Sequence, residues 1–173
     1  MIKEKRFIDI RKPKTNTAII LVGGMGVDTK GFSESVFSDC HIYDDVNERS
    51  FDIDIRKRDS DNKPNIVIVD WVKDGIDFIN CISWLKRMEY VPENIHLVWI
   101  KGDVENALKQ NHGIHTDDVV RESYDLLVKL FADIRSGAIP LEGRFDGDVW
   151  FVDGDSDTRV KTSGVSIDTS IVS

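Results

Sequence analysis

The most constraining feature of the sequence is a short apolar run that leads into a glycine-rich turn. Residues 18–22 read Ala-Ile-Ile-Leu-Val, and they are followed by Gly23, Gly24 and Gly26 before a segment with helical character begins at Lys30. A buried strand, a tight glycine turn and a helix start form the frame of a phosphate-binding loop, in which backbone N–H groups point at an anion. We therefore expect the chain to fold around a strand–loop–helix unit.

The loop departs from the motif G-x-x-x-x-G-K-[ST] at its most important positions. When Gly23 is taken as the first glycine, Asp28 stands where the second glycine belongs and Thr29 where the lysine belongs. A carboxylate in that place opposes phosphate binding, because two like charges roughly 4 Å apart repel by about 4 kcal/mol at an effective dielectric near 20.

A register shifted by one residue does not restore the motif. It brings Lys30 into the lysine position behind Gly24, but Thr29 then replaces the second glycine and Gly31 replaces the hydroxyl that holds magnesium. We interpret the segment as a degenerate phosphate loop, and the alternative is an ordinary glycine turn between a strand and a helix. The candidate nucleotide-binding residues are Gly23, Gly24, Gly26, Thr29 and Lys30.

Composition limits the class of protein. The chain has 173 residues, 40% of them hydrophobic, which is enough for one domain with a full core. Its net charge of -8 argues against an extended nucleic-acid surface, although a local basic patch would suffice for a nucleotide. Cys40 and Cys81 lack metal or redox spacing, and no segment is long and apolar enough for a bilayer. We expect a cytoplasmic protein without a membrane partner.

Short apolar segments alternate with amphipathic ones, which predicts an α/β fold with a mainly parallel five-stranded sheet covered on both faces, a three-layer arrangement. The predicted strands are 17–22, 41–43, 65–70, 95–100 and 148–152, and the predicted helices are 30–38, 74–88, 103–111 and 117–135. Residues 1–16 are predicted to be a basic arm, 17–155 the domain and 156–173 a Ser/Thr-rich tail. One helix face is predicted to pack on the sheet, through Ile76, Ile79, Cys81, Ile82, Leu85 and Met88.

With these elements placed, residues 17–153 resemble the P-loop kinases of the zeta-toxin and polynucleotide-kinase type. The resemblance is carried by the strand Asn65-Ile66-Val67-Ile68-Val69-Asp70 and by residues 90–111, which are similar to the later strand of those kinases and the helix that leads to their lid. It implies a three-layer P-loop kinase-like fold. In an active member it also implies ATP and magnesium as cofactors.

The resemblance also implies roles for individual residues. Asp44 or Asp45, after the second strand, would accept the proton of a substrate hydroxyl, and the alternative is a solvated acidic turn. Asp70 would hold magnesium through water. The lid segment 111–116 contains no arginine, so Arg121 on the next helix is the candidate to embrace the transferred phosphate, and its alternative role is that of a surface charge.

Two functions remain open from the sequence. We favour a catalytically degenerate kinase-like protein that serves as a binding or structural subunit of a larger assembly, with weak nucleotide affinity as an option. Its protein partner would cover the basic arm, the C-terminal tail or an apolar face such as that around Trp71 and Phe78. Similar kinase-like chains occur in tailed bacteriophages, and this resemblance implies a virion or the host cytoplasm as the setting. The alternative is an active ATP-dependent kinase that phosphorylates a nucleotide, a nucleic-acid end or a small hydroxyl substrate.

Overall fold

A computed structural model describes residues 10–11, 13, 16–44, 55–56, 58 and 62–153 of the chain. Five strands lie in these ranges, namely β1 (Ala18–Val22), β2 (His41–Tyr43), β3 (Ile66–Ile68), β4 (Ile95–Lys101) and β5 (Val149–Asp153). They are joined by four α-helices, α1 (Thr29–Val36), α2 (Gly75–Arg87), α3 (Val104–Gln110) and α4 (Asp117–Ser136), and by a 3₁₀ turn at Pro92–Asn94.

The five strands form one parallel sheet in the order β2-β3-β1-β4-β5. All five residues of the central strand β1 are buried, as expected for a strand that is covered on both faces. In such a sheet all carboxyl ends meet at one edge, where open α/β folds bind ligands. The predicted parallel five-stranded sheet is confirmed.

Alternation along the strands divides the core into two clusters on opposite faces of the sheet. Ile20 of β1 packs in the cluster that contains residues of α2 and α4, whereas Ile19 and Leu21 pack in the cluster that contains Phe32 of α1. The sheet therefore lies between two helical layers, and the predicted three-layer arrangement is confirmed. Cys40 and Cys81 belong to different clusters, so the sheet separates the two thiols.

Aspartate and threonine side chains cap the four helices α1 to α4, as N-cap chemistry favours. Asp28, Asp74 and Asp103 each accept a hydrogen bond from a backbone N–H in the first turn of α1, α2 and α3, and Thr116 does the same for α4. These caps explain why the four helices lie close to their predicted positions.

Two predictions about side chains of α2 are wrong, one of burial and one of exposure. Ile76 was predicted to pack on the sheet, but it is 71% exposed because it lies in the first turn of α2, outside the buried stripe that Cys81, Ile82 and Leu85 form. Phe78 was predicted to help form a partner-facing apolar surface, but it is fully buried and its ring lies edge-on to Phe145.

No helix in the described ranges is long and apolar enough to cross a membrane.

Candidate functional site

The candidate site lies at the carboxyl edge of the sheet, where β1, β2 and β3 end side by side. The glycine loop 23–28 follows β1, Asp44 follows β2, and Asp70 lies two residues beyond β3. The structure therefore brings the predicted loop together with two of the three predicted carboxylates. Asp45, the third, lies outside the described residues.

Thr29 and Asp70 are bonded to each other. The Thr29 hydroxyl donates to Oδ1 of Asp70 at 3.0 Å, and Thr29 is only 6% exposed, so its side chain is turned into the protein. Asp70 has a positive φ of 59°, a backbone conformation that ends the strand before residue 70 and directs the carboxylate across the edge toward α1. When Gly23 is taken as the first glycine of the motif, the lysine position is thus filled by a short neutral side chain that is hydrogen-bonded to Asp70.

Asp28 has a structural role in the loop. Its Oδ1 accepts a hydrogen bond from the Gly31 backbone N–H at 2.9 Å, and it serves as the N-cap of α1. A carboxylate at a helix N-terminus is stabilised by the helix dipole, and here it takes the place that an anionic ligand would favour.

Lys30 points away from the loop toward β2. Its Nζ lies 2.9 Å from Oδ2 of Asp44, and both side chains are partly exposed. The hydrogen bond from Lys30 lowers the pKa of Asp44, and the same bond raises the pKa of Lys30, with a smaller contribution from the charge of Asp70. The two residues predicted to bind phosphate and to act as a base therefore neutralise each other.

Every second backbone N–H from Met25 to Gly31 donates a hydrogen bond to another group of the protein. Met25 N–H donates to Ser123 Oγ at 3.0 Å, Val27 N–H to the Gly24 carbonyl at 3.1 Å, and Thr29 N–H to the Val27 carbonyl at 3.1 Å. Together with the N–H of Gly31, which donates to Asp28, four donors of the segment 25–31 are satisfied without a ligand.

Helix α4 packs directly against the loop through two neighbouring residues. Besides the Ser123 contact, the Tyr124 hydroxyl donates to the Met25 carbonyl at 2.7 Å. The Tyr124 ring lies so close to Gly24 that a Cβ at Gly24 would be 2.5–2.6 Å from three ring atoms, so any other residue there would have to displace the ring. Burial, and then the charge of Asp103, raise the pKa of Tyr124, which keeps its hydroxyl protonated as a donor.

The lid segment does not bring an arginine to the loop. Its turn is held by Asn111, whose side chain donates to the His115 carbonyl and accepts from the His115 N–H. Arg121 lies on the exposed side of α4, where its Nη1 is 3.3 Å from Oε1 of Glu105 on α3. The structure thus pairs Arg121 with an acidic residue of the neighbouring helix.

If a nucleotide were bound, Asp70 is the residue at this edge that would hold a magnesium ion through water. Asp70 is exposed, and one carboxylate with coordinated water is a usual magnesium site when a nucleotide supplies the phosphate oxygens. In an active kinase that ion would neutralise charge on the transferred phosphoryl group. Among the described residues, no group of three or more His, Cys, Asp or Glu side chains is arranged to hold a metal by itself.

Sequence reasoning missed Ser123 and Tyr124. They lie between Val120 and Leu127 on the buried side of α4, at the i+3 and i+4 positions after Val120. Two polar residues that interrupt the apolar stripe of a helix indicate polar partners below that helix. The sequence contains this signal, but it does not say which backbone groups the two side chains meet.

No protein-family model matches the sequence, and no curated protein matches it significantly. A solved structure from the PezAT chromosomal toxin–antitoxin system of Streptococcus pneumoniae is similar in fold, with a TM-score of 0.51 and 13% sequence identity. The alignment covers 92% of this chain and 78% of that chain. That neighbour has the fold of a zeta toxin. The chain therefore has a P-loop kinase-like α/β fold.

Proposed function

We propose that this chain is a kinase-like protein that has lost phosphoryl transfer and acts as a binding or structural subunit of a larger assembly. In this proposal it binds a protein partner, in a host cytoplasm or in a virion of the tailed-bacteriophage type. The fold keeps the sheet edge at which kinases of this architecture bind ATP, while the side chains at that edge serve the protein itself.

The observation that carries the proposal is the hydrogen bond between Thr29 and Asp70. In a working site of this fold, the lysine position supplies a cation to the phosphates and the aspartate helps to hold magnesium. Here the two positions are bonded to each other at 3.0 Å, and the threonine is buried. A lost cationic donor costs on the order of 10²- to 10³-fold in rate by analogy with single electrostatic donors, so losing the lysine and the lid arginines together leaves little catalysis.

A titration of the purified chain with ATP and magnesium tests the proposal. We expect no heat of binding up to millimolar ATP from the natural chain. The matched variant Asp28→Gly/Thr29→Lys/Lys30→Ser restores G-K-S behind Gly23, removes the carboxylate cap and adds a cation, and we expect it to bind ATP. Calorimetry with and without magnesium measures both affinities.

The outcomes distinguish a site that has lost phosphoryl transfer from one that retains it. Micromolar binding of ATP by the natural chain, together with transfer of its γ-phosphate to any acceptor, contradicts the loss of phosphoryl transfer. Absence of binding by the natural chain with gain of binding by the restored variant supports it. Asp28→Asn is the control for charge alone, because it keeps an oxygen that can accept from the Gly31 N–H.

A second candidate function, an active ATP-dependent kinase, is supported by the ion pair between Lys30 and Asp44. In this alternative, ATP binding draws Lys30 to a phosphate and releases Asp44, 2.9 Å away, as the base for a nucleotide, nucleic-acid-end or small hydroxyl substrate. Arg121 would then leave Glu105 to reach the phosphate.

Transfer of labelled phosphate from ATP to a panel of nucleosides and 5′-hydroxyl oligonucleotides tests this alternative. Lys30→Ala and Asp44→Asn should each abolish any transfer, whereas Lys129→Ala, a lysine that is paired with Asp133 on α4, should leave it unchanged. Turnover that survives Lys30→Ala would show that the activity does not come from this site.

A further inference from the structure

We propose that Ser123 and Tyr124 form a latch that holds the glycine loop closed, so that the loop opens toward an anion only when α4 moves away. The latch is defined by these two side chains and by the single residue that they grip, Met25. The proposal concerns how the loop is held and goes beyond the loss of transfer proposed above.

The latch grips both polar backbone groups of Met25 at the tip of the loop. Ser123 Oγ accepts from the Met25 N–H at 3.0 Å, while the Tyr124 hydroxyl donates to the Met25 carbonyl at 2.7 Å. Ser123 Oγ also donates to the Val120 carbonyl at 2.6 Å, which fixes its lone pairs toward the loop. The N–H and the carbonyl of Met25 are thus both bonded to adjacent residues of α4.

The rest of the loop is closed around that restrained residue. The Val27 N–H turns back to the Gly24 carbonyl and the Thr29 N–H to the Val27 carbonyl, so these donors face the protein. The Tyr124 ring lies on Gly24, which blocks outward movement of the peptide that supplies the Val27 acceptor. A phosphate needs loop N–H groups that are turned outward, so an anion cannot use these donors while the loop is closed.

The packing of the loop on α3 adds a second restraint in the same direction. Gly26 adopts a positive φ of 89°, and a Cβ there would lie 3.1 Å from Cβ of Ala107 on α3. Helices α3 and α4 therefore both cover the loop, and they are tied to each other by Arg121 and Glu105. Movement of this helix pair is the motion that would release Met25.

Amide hydrogen exchange of the natural chain and of Ser123→Ala/Tyr124→Phe tests the latch directly. The double variant removes both grips on Met25 but retains the aromatic ring on Gly24. We expect the amides of Val27 and Thr29 to exchange about 10- to 30-fold faster, as expected when two hydrogen bonds that hold a local structure are lost. Neither amide donates to Ser123 or Tyr124, so faster exchange at these two amides would show that the loss of the Met25 contacts opens the rest of the loop.

Tyr90→Phe/Ser136→Ala is the matched control, because it deletes the same two kinds of hydroxyl elsewhere. Those hydroxyls bond the Pro64 and Asp133 carbonyls, away from the loop. We expect the control to leave the ratio between Val27 exchange and exchange in β1 unchanged. Faster exchange of Met25 alone overturns the latch, and so does an equal rise throughout β1, since both outcomes mean that the loop is not held as a unit.

A binding measurement tests whether the latch opposes a ligand. We add Ser123→Ala/Tyr124→Phe to the restored loop Asp28→Gly/Thr29→Lys/Lys30→Ser and titrate both proteins with ATP and magnesium. About tenfold tighter binding after removal of the latch supports the proposal. Equal or weaker ATP affinity after removal of the latch, or no binding by either protein, overturns the proposal that the latch opposes anion binding. The natural chain's own titration decides the proposed function separately.

Discussion

At the scale of single residues, the candidate site is a set of polar groups that satisfy one another. Asp28 caps its own helix, Thr29 bonds Asp70, and Lys30 pairs with Asp44. Each of these side chains occupies a position at which a kinase of this fold would contact nucleotide, metal or substrate. These polar groups are therefore satisfied within the protein without a ligand.

The pair of Lys30 and Asp44 makes a prediction about titration. Because the hydrogen bond from Lys30 lowers the pKa of Asp44 below the usual 3.8, Lys30→Met should raise that pKa back toward 3.8. Carboxyl chemical shifts of Asp44 followed from pH 2 to pH 6 measure the change. An unchanged Asp44 titration would mean that the ion pair is not populated in solution.

The sign of the pH dependence follows from the two shifts. The stabilisation through Asp44 is present above pH 3.8 and is lost as the pH falls through its lowered pKa. The stabilisation through Lys30 is present below pH 10.5 and is lost as the pH rises through its raised pKa. The melting temperatures of Asp44→Asn and the natural chain should therefore differ slightly at pH 7 and converge at both extremes.

Gly24 provides a second test at this scale. Gly24→Ala should destabilise the protein by about 1–3 kcal/mol, because its Cβ would overlap the Tyr124 ring in a packed contact. In the Tyr124→Ala background, Gly24→Ala should lower the free energy of unfolding by less than it does in the natural chain, because the overlapping ring is absent. A double-mutant cycle measured by urea denaturation gives this difference. Gly75→Ala is the control, since its new Cβ would lie at an ordinary 3.4 Å from Ile139. Strict additivity would contradict the contact.

At the scale of elements, helices α2 and α4 are each followed by a residue in the left-handed conformation, but the two residues differ. After α2, the N–H groups of Glu89 and Tyr90 return to the carbonyls of Lys86 and Leu85, and Glu89 has a positive φ of 66°. This is the Schellman arrangement, in which glycine is favoured at the left-handed position. Helix α4 places Gly137 there, with φ at 80°.

The two helix ends predict opposite effects of opposite substitutions. Glu89→Gly also removes the 3.6 Å ion pair with Lys63, whose side chain is only 1% exposed, so it is compared with Glu89→Gln, which loses the same charge. Glu89→Gly should leave the protein about 0.5–1 kcal/mol more stable than Glu89→Gln does, because glycine adopts the left-handed conformation without steric cost. Gly137→Glu should destabilise it by about 1 kcal/mol for the same reason. Urea denaturation measures both changes. Equal stability of Glu89→Gly and Glu89→Gln would contradict a conformational cost at this position.

Most of the elements could be predicted because local chemistry specifies them. β-Branched runs such as Ile95–Lys101 have the character of buried parallel strands, and the aspartates before α1, α2 and α3 mark helix starts. The end of β3 was predicted too late, because Asp70 takes a left-handed conformation that no neighbouring glycine announces. Tertiary demands override local pattern at that point.

The site could be predicted only in part, because its chemistry depends on which side chains meet. The sequence located the glycine loop, Asp44 and Asp70 at one edge, as the parallel topology requires. It did not predict that Thr29 would bond Asp70, that Lys30 would turn to Asp44, or that Tyr124 would cover Gly24. These contacts join positions that are far apart in sequence, and periodicity does not record them.

At the scale of the whole molecule, two helical layers and one sheet enclose two apolar clusters. Cys81 lies in one cluster and Cys40 in the other. Burial, with a smaller contribution from Asp39, raises the pKa of Cys40 to about 11, and burial also raises that of Cys81. Both thiols should therefore react slowly with a thiol reagent at pH 8 until the protein unfolds. Rapid labelling of either cysteine under native conditions would contradict the burial of its cluster.

The grip of Ser123 and Tyr124 on Met25 also bears on the order in which the chain folds. These contacts join residues 98 and 99 positions apart, yet Val22 already pairs with Trp99 once β1 and β4 are aligned. Closing the remaining segment then costs little chain entropy, so the contacts should form after the sheet and on the native side of the folding barrier. Ser123→Ala/Tyr124→Phe should accordingly speed unfolding in stopped-flow experiments and leave the refolding rate nearly unchanged. The glycine loop would thus be the last part of the carboxyl edge to settle and the first to be released.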